Sequence, residues 1–423
     1  MLLMTKLTQP TPLGLKKSFG FGDRLGLATP GHLAAANQSD YAPIFAQQSI
    51  REMARTQRTP KEVMRAAQVT LEKAGYSKPW GADADHLKTA EDVRATAAAG
   101  FCFFTIDPSE FVNNQADAMP GTGLEADVAL MEKGGIFPDA AWMQYYLEGR
   151  FEIAGGLILQ FTKEKLFRAA IKYARAIAHS AVMSGHIASA NRGRPYEIEV
   201  SVDETDSPTS PLEHLFFGLE LKRRQVAHVV SLAPRFVGEF EKGIDYRGDL
   251  KRFEASLREH VAIAKFCGPY KISVHSGSDK FSAYPVIGRV CGELLHVKTA
   301  GTSYLEALRV VARTAPAVFA EIAAYCRGRF DIDRKSYHIS TTPGEIANLP
   351  AFSGAAEEAL YLDERVGRQL LHVTFGSVLT AGSDKKGRRF KETILELLNQ
   401  HADLHEELLA MHFRKHLSLL NQG

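Results

Sequence analysis

Short apolar segments ending in small or polar residues recur along this chain, with helical patterns between most of them. Few folds accept that arrangement. The segments are Arg24–Thr29, Trp80–Asp85, Phe101–Ile106, Tyr196–Asp203, His228–Leu232, Tyr270–His275, Leu294–Lys298 and Ser336–Ser340. Several alternate apolar and polar residues with period two, as strands do. Lys163–Ala190 carries Leu166, Ala169, Ala170, Tyr173 and Ile177 at helical spacing. Leu250–Phe266 repeats the pattern, and Gly268 stops it. Ser303-x-x-Glu306 has the form of a capping box opening the helix after Leu294–Lys298. The alternation predicts an α/β fold, a (β/α)8 TIM-type barrel.

The pattern also divides the chain. Residues 1–18, with Pro10, Pro12 and Gly14, read as an N-terminal arm, and 19–350 as the barrel. The stretch between Asp107 and Tyr196 is far longer than one helix. Its part from about 111 to 161 is therefore expected to form an inserted cap over the barrel mouth, after the third segment. Residues 351–423 read as a helical C-terminal extension, with an exposed loop at Ser383–Arg388 and a tail helix over Phe390–Leu420.

Charge narrows the function classes. Lys and Arg total 51 against 49 Asp and Glu, which gives no electrostatic case for nucleic acid or an anionic membrane. No uncharged apolar run approaches the roughly 18 residues that span a bilayer. Met1–Lys6 lacks the apolar core of a signal peptide. Cys102, Cys267, Cys291 and Cys326 form no C-x-x-C pair and have apolar or small neighbours, so free buried thiols are expected. A cytoplasmic protein acting on a small molecule, open to homo-oligomer formation, is the expectation.

A barrel of this kind presents reactive groups at the C-terminal ends of its strands, and those ends are unusually polar here. They carry Asp83, Asp85 and His86; Thr105 and Asp107; Asp203 and Glu204; His275 through Lys280; His296 and Lys298; and His338. Alternation places Asp83 and Asp85 on one face, opposite Ala82 and Ala84. It also turns Lys271, Ser273 and His275 to the axis, with His296 and Lys298. Any one of these has an ordinary reading as a hydrogen-bonded core group. Carboxylates, imidazoles and lysines converging on one end are costly without a role. Histidine with carboxylate suits a divalent metal ion. His86 and His275 are the leading ligands, with His338, His296 or Glu239 as the third. No G-x-x-x-x-G-K-[ST] loop or G-x-S-x-G elbow occurs. Ser18–Asp23 contains G-x-G without a third glycine, and reads as the entry to the first strand. The Ser276-Gly277-Ser278 turn offers backbone N–H groups to an anion.

At these residues the chain resembles the tagaturonate epimerase family (tagaturonate/fructuronate epimerase). The likeness rests on Ser18–His32, Trp80–Lys88, Glu199–Glu204, Ala233–Gly248, Lys271–Phe281 and Lys298–Leu305. More distantly, Asp85-His86 and His275-Ser276-Gly277-Ser278 are similar to the metal-binding strand ends of class II ketose aldolases. The resemblance implies a metal-dependent isomerase that interconverts D-tagaturonate and D-fructuronate in hexuronate catabolism. It implies Asp85 and Glu204 as the acid/base pair, and His86 and His275 as ligands of a Zn, Mn, Fe, Co or Ni ion. The aldolase pattern wants a histidine in the loop after the fifth segment, where this chain has Arg235–Glu239, so Glu239 is taken as the third ligand. Ser278 and Lys298 are expected partners for a sugar-acid substrate.

The inverted carbon of such a substrate lies β to the ketone, and enolisation cannot invert it. Retro-aldol cleavage and re-formation can, with no redox cofactor. An aldolase that releases its fragments, an epimerase of a neutral or phosphorylated ketose, and an inactive sugar-binding barrel are the alternatives.

Overall fold

The computed structural model describes residues 8–422. Eight parallel strands close into a barrel. They are β1 (Ser18–Gly22), β2 (Ala42–Ser49), β3 (Gly81–Leu87) and β4 (Phe103–Ile106), then β5 (Glu197–Val202), β6 (Val229–Pro234), β7 (Lys271–Val274) and β8 (Leu295–Thr299). β1 closes the ring by pairing with both β2 and β8, with Ser18 level with Ala42 and His296. The helices Lys163–Ala190 and Leu250–Cys267 form where their spacing predicts. Ala84, Ile198, Ile272 and Val297 face the helix layer and are fully buried.

Six of the eight predicted strands are present, and two are replaced. Arg24–Thr29 is a loop. Asp23 accepts hydrogen bonds from the N–H groups of Leu25, Gly26 and Ala28, and Gly26 takes a positive φ of 81°. This turn leaves the alternating leucines no ladder to join. The first strand is the preceding Ser18–Gly22, where the glycines permit close contact. A Cβ on Gly20 would lie 1.6 Å from Gln47 Oε1, and one on Gly22 would lie 2.5 Å from the Thr299 carbonyl. The second strand, Ala42–Ser49, is masked in the sequence by Pro43 and the polar pair Gln47-Gln48. Ser336–Ser340 is not a strand but follows a short 3-10 turn (Arg334–Ser336) along the mouth, where Ser340 N–H donates to Glu241. The barrel thus closes at Thr299 rather than near residue 350.

The inserted segment corrects a second expectation. It contains the helices Gly121–Lys133 and Trp142–Leu147 and the hairpin Phe151–Ile153 and Leu157–Leu159. Its buried Leu124, Val128, Met131, Trp142, Tyr146, Phe151 and Ile153 join the main hydrophobic core. Tyr146 donates to Glu220, and Asp139 pairs with Arg223, both on the outer helix Pro211–Arg223. No residue from 111 to 161 lines the pockets at the barrel mouth. The segment clads the barrel wall because its apolar surface is satisfied by those outer helices.

The arm, described from Thr8, docks at the opposite end of the barrel. Leu13 and Gly14 N–H donate to the buried Glu197 carboxylate at 2.7–3.1 Å. Met1–Lys6 lie outside the described residues. All four cysteines are buried free thiols. No helix among the described residues is long and apolar enough to cross a membrane.

Helix Thr302–Thr314 follows β8, but Ser303 lies inside it and forms no cap; its hydroxyl instead meets His32 Nε2 at 2.9 Å. A second core, running from Tyr304 to Leu408, unites this helix with the C-terminal helices. The tail is two helices, Phe390–Gln400 and Ala402–Leu420. The last one bridges both cores. Leu408 joins the second, while Leu409, Phe413, Leu417 and Leu420 join the barrel core. The fully buried Phe413 ring stands 4.8–6.0 Å, centroid to centroid, from His32, Phe21 and Phe19. Phe413→Ala is expected to destabilise the protein by about 3–5 kcal/mol, read as a lower denaturant midpoint. A loss well under 1 kcal/mol would show that the tail is not part of the barrel core.

Candidate functional site

The polar residues inside the barrel form layers. At the closed end, Lys271 Nζ donates to Ser18 Oγ at 3.0 Å, and the same hydroxyl meets His296 Nδ1 at 3.0 Å. One layer up, Lys298 Nζ lies 2.7 Å from Asp83, 2.7 Å from Asp85, 2.8 Å from Glu199 and 2.5 Å from Thr105 Oγ1. These residues come from β3, β4, β5 and β8 and are all buried. At the open end, His275 Nε2 meets Glu199 at 2.7 Å, and its Nδ1 meets Asp203 at 3.2 Å. His86 Nε2 stands 3.8 Å from Asp85, and its Nδ1 stands 3.4 Å from Asp107. The two imidazoles are nearly perpendicular, with centroids 5.1 Å apart.

Charge is unevenly distributed. Five carboxylates, from Asp83, Asp85, Asp107, Glu199 and Asp203, stand against Lys298, His86 and His275, with Lys88 at the edge, 3.7 Å from Asp107. Burial pushes Asp83 up to about 7, against the pull of Lys298. Burial also works against ionising Asp85, but His86 and Lys298 hold it down at about 2. Burial disfavours a charged imidazole, yet Asp85 and Asp107 lift His86 to about 10, and Asp203 with Glu199 lifts His275 to about 9. Burial also disfavours the Lys298 ammonium, yet Asp83, Asp85 and Glu199 raise its pKa well above the usual range. The open end therefore attracts positive charge strongly.

Asp85, His86 and His275 each offer a ligand atom within 4.8 Å of the others. Two imidazole nitrogens and a carboxylate oxygen are a donor set that suits a borderline divalent cation, so the residues fit a metal ion. Glu239 does not join them. Its loop bends at Gly238 (φ 82°) and pairs back on Arg247. This carries its carboxylate to the outer wall, 2.7 Å from the exposed His338 Nε2. His296 is sealed in the closed end, where burial holds it neutral, well below its usual range. Neither alternative histidine reaches the cluster.

Two adjoining hollows open on this site. An outer cleft of about 500 Å³ is lined by Arg51, Asp203, Glu204, Glu239, Lys242 and His275, among others. A narrower inner pocket is lined by Asp85, His86, His275, Ser278 and Lys298 together with Arg24, Lys242 and His372. Glu204 lies in the outer cleft, 3.3 Å from Arg51. Ser278 is buried in the inner pocket. Lys298, expected to meet substrate, borders the inner pocket, and its ammonium is within 2.5–2.8 Å of oxygens of Asp83, Asp85, Glu199 and Thr105.

Arg24, Arg51, Lys242, Tyr337 and His372 line the hollows without having been singled out from the sequence. Arg24 lay in a segment taken for a strand, and His372 on a helix whose histidine has an ordinary packing reading. No local signal marks either one.

Comparison with known proteins matches the chain to a family. The family model described as tagaturonate epimerase matches residues 2–420. The tagaturonate/fructuronate epimerase of Thermotoga maritima is 43% identical over 412 residues, covering 97% of this chain and 82% of that protein. The native crystal structure of the fructuronate-tagaturonate epimerase of Cohnella laeviribosi has 37% identity and a TM-score of 0.88. It covers 98% of this chain and 83% of that one. A two-glycerol complex of the same enzyme gives a TM-score of 0.89. With a matching model over nearly its whole length and relatives of this identity, the chain belongs to the tagaturonate epimerase family.

Proposed function

We propose that this protein interconverts D-tagaturonate and D-fructuronate by retro-aldol cleavage and re-formation, with a divalent metal ion held by His86 and His275. The observation that carries the reading is the meeting of Asp85, His86 and His275 at the barrel mouth, in a chain of this family. A divalent ion there supplies Lewis acidity toward substrate oxygens.

The chain's own groups handle the proton. Asp85 lines the inner pocket and Glu204 the outer cleft, while His275 borders both. Two carboxylates on separate walls suit a reaction in which the hydroxyl on the inverted carbon points either way. One carboxylate takes the hydroxyl proton, and that oxygen becomes an aldehyde. The bond to the neighbouring carbon, α to the ketone, breaks, and its electron pair moves to the ketone fragment as an enediolate. The aldehyde turns, the bond re-forms on its other face, and the second group, which enters the cycle as the protonated carboxyl, gives its proton to the oxygen while the first ends protonated. Lys298 fixes Asp85 in place, and Ser278 borders the inner pocket where substrate oxygens bind.

Chelation is expected to abolish conversion of tagaturonate to fructuronate, followed by NMR, and Mn²⁺ or Zn²⁺ to restore it. Full activity in EDTA would remove the metal from the scheme. In D₂O the product should carry no deuterium at the inverted carbon, because its hydrogen never leaves. Deuterium placed there beforehand should slow turnover little, whereas solvent deuterium at that centre would sink the retro-aldol route. Glu204→Gln is expected to lower kcat by about 10²-fold or more, the scale of a lost acid/base group.

A further inference from the structure

The substrate of this reaction is a carboxylate, and the groups assigned so far leave that carboxylate without a partner. Lys298 is surrounded by its own acids. Three other cations line the inner pocket; Arg51 pairs with Glu204 at 3.3 Å, and the remaining two are free of the groups that move the proton. Lys242, in the loop after β6, donates to Ser276 Oγ at 2.5 Å and has no carboxylate partner among the described residues. Arg24, in the loop after β1, gives Nε and Nη2 to Glu52 at 2.8 and 2.7 Å. Its guanidinium lies 3.6 Å from the centroid of the Phe375 ring. The third nitrogen, Nη1, is buried and makes no hydrogen bond.

The two cations meet around His372. Its Nε2 lies 3.4 Å from Arg24 Nη2, and its buried Nδ1 has no hydrogen-bond partner. Burial, Arg24 and Lys242 together hold this imidazole neutral, well below its usual range. Gly301 leaves the ring its space, since a Cβ there would lie 1.9 Å from His372 Cε1. Lys242, with no acidic partner among the described residues, and Arg24, paired with Glu52 but with one buried nitrogen unbonded, both line one small pocket, and a buried donor left unbonded is unfavourable.

We propose that Arg24 and Lys242 form the subsite for the substrate carboxylate, and that this subsite makes the enzyme select sugar acids over neutral ketoses. The proposal rests on the epimerase reading and names the origin of its selectivity. Arg24 offers a directed N–H, and Lys242 a compact charge.

The test uses the metal-loaded full chain. It measures kinetics on tagaturonate, and calorimetric binding of D-gluconate against its uncharged counterpart D-sorbitol. Wild-type protein should prefer gluconate by about tenfold or more, the scale of a charge-assisted contact. Lys242→Met should raise KM about 10- to 100-fold, with a smaller effect on kcat, and should erase the gluconate preference. Lys242→Arg should recover much of it, and Arg24→Met should weaken gluconate more than sorbitol. An unchanged KM and preference in Lys242→Met would overturn the proposal. So would equal loss of gluconate and sorbitol binding, which would make Lys242 a brace for Ser276 alone. A wild-type protein that prefers gluconate through Lys242 but leaves tagaturonate unchanged would uphold the subsite and overturn the epimerase reading.

Discussion

The ammonium of Lys298 sits among three carboxylates and a threonine hydroxyl inside the barrel, and the geometry of the mouth depends on it. Its partners come from β3, β4 and β5 while it stands on β8, so one cation ties four strands across the axis. The cluster is sealed from below by Phe103, whose ring centroid is 5.6 Å from the ammonium. Removing a partner from such a buried network typically costs about 3–5 kcal/mol, because the remaining charges lose their compensation. The consequence reaches the imidazoles. Glu199, held by Lys298, orients His275, and Asp85, also held by it, faces His86.

Above that layer the backbone leaves its ordinary conformations. His86, Ser276 and Asp279 all have positive φ, between 51° and 62°. Left-handed backbone at non-glycine residues persists where surrounding contacts impose it. His86 is flanked by Asp107, and Ser276 accepts from Lys242. Asp279 is gripped by Arg368 at 2.6 Å and by His412 at 2.9 Å, and its N–H donates to His416. The last two residues belong to the final helix. The C-terminal extension is thus a fastening for the β7 turn as well as a cover for apolar surface. Lys280 continues the same turn, with its buried ammonium donating to three carbonyls, those of Glu241, Ile244 and Ser278. This grip positions the loop that carries Lys242.

How far the site could be read from the chain differs residue by residue. Asp83, Asp85, His275, His296 and Lys298 were legible because alternation within a strand turns them to the axis whatever their neighbours are. Position along the axis was not legible. His296 and Lys298 stand two residues apart on one strand, yet one is sealed in the closed end and the other governs the mouth. Glu239 occupies the loop where a ligand was expected, but the bend at Gly238 and the pairing with Arg247 carry it outward. The strand Ala42–Ser49 was hidden because its polar Gln47 packs on Gly20 of the neighbouring strand and donates to the Thr299 carbonyl, contacts that exist only after closure.

The sequence by itself determined the alternation that makes a barrel, the long helices, and the strand-end residues that can carry acid/base and ligand chemistry. Those features depend on local periodicity, which the chain carries at every point. Only the tertiary structure decided which polar ends meet. It brought Asp85, His86 and His275 together, separated Glu239 from them, and laid the insertion on the barrel wall. It also drew Arg24, Lys242 and His372 around one pocket from the two ends and the middle of the chain. Such meetings depend on strand order, loop bends and the docking of the last helix, and no local pattern encodes them.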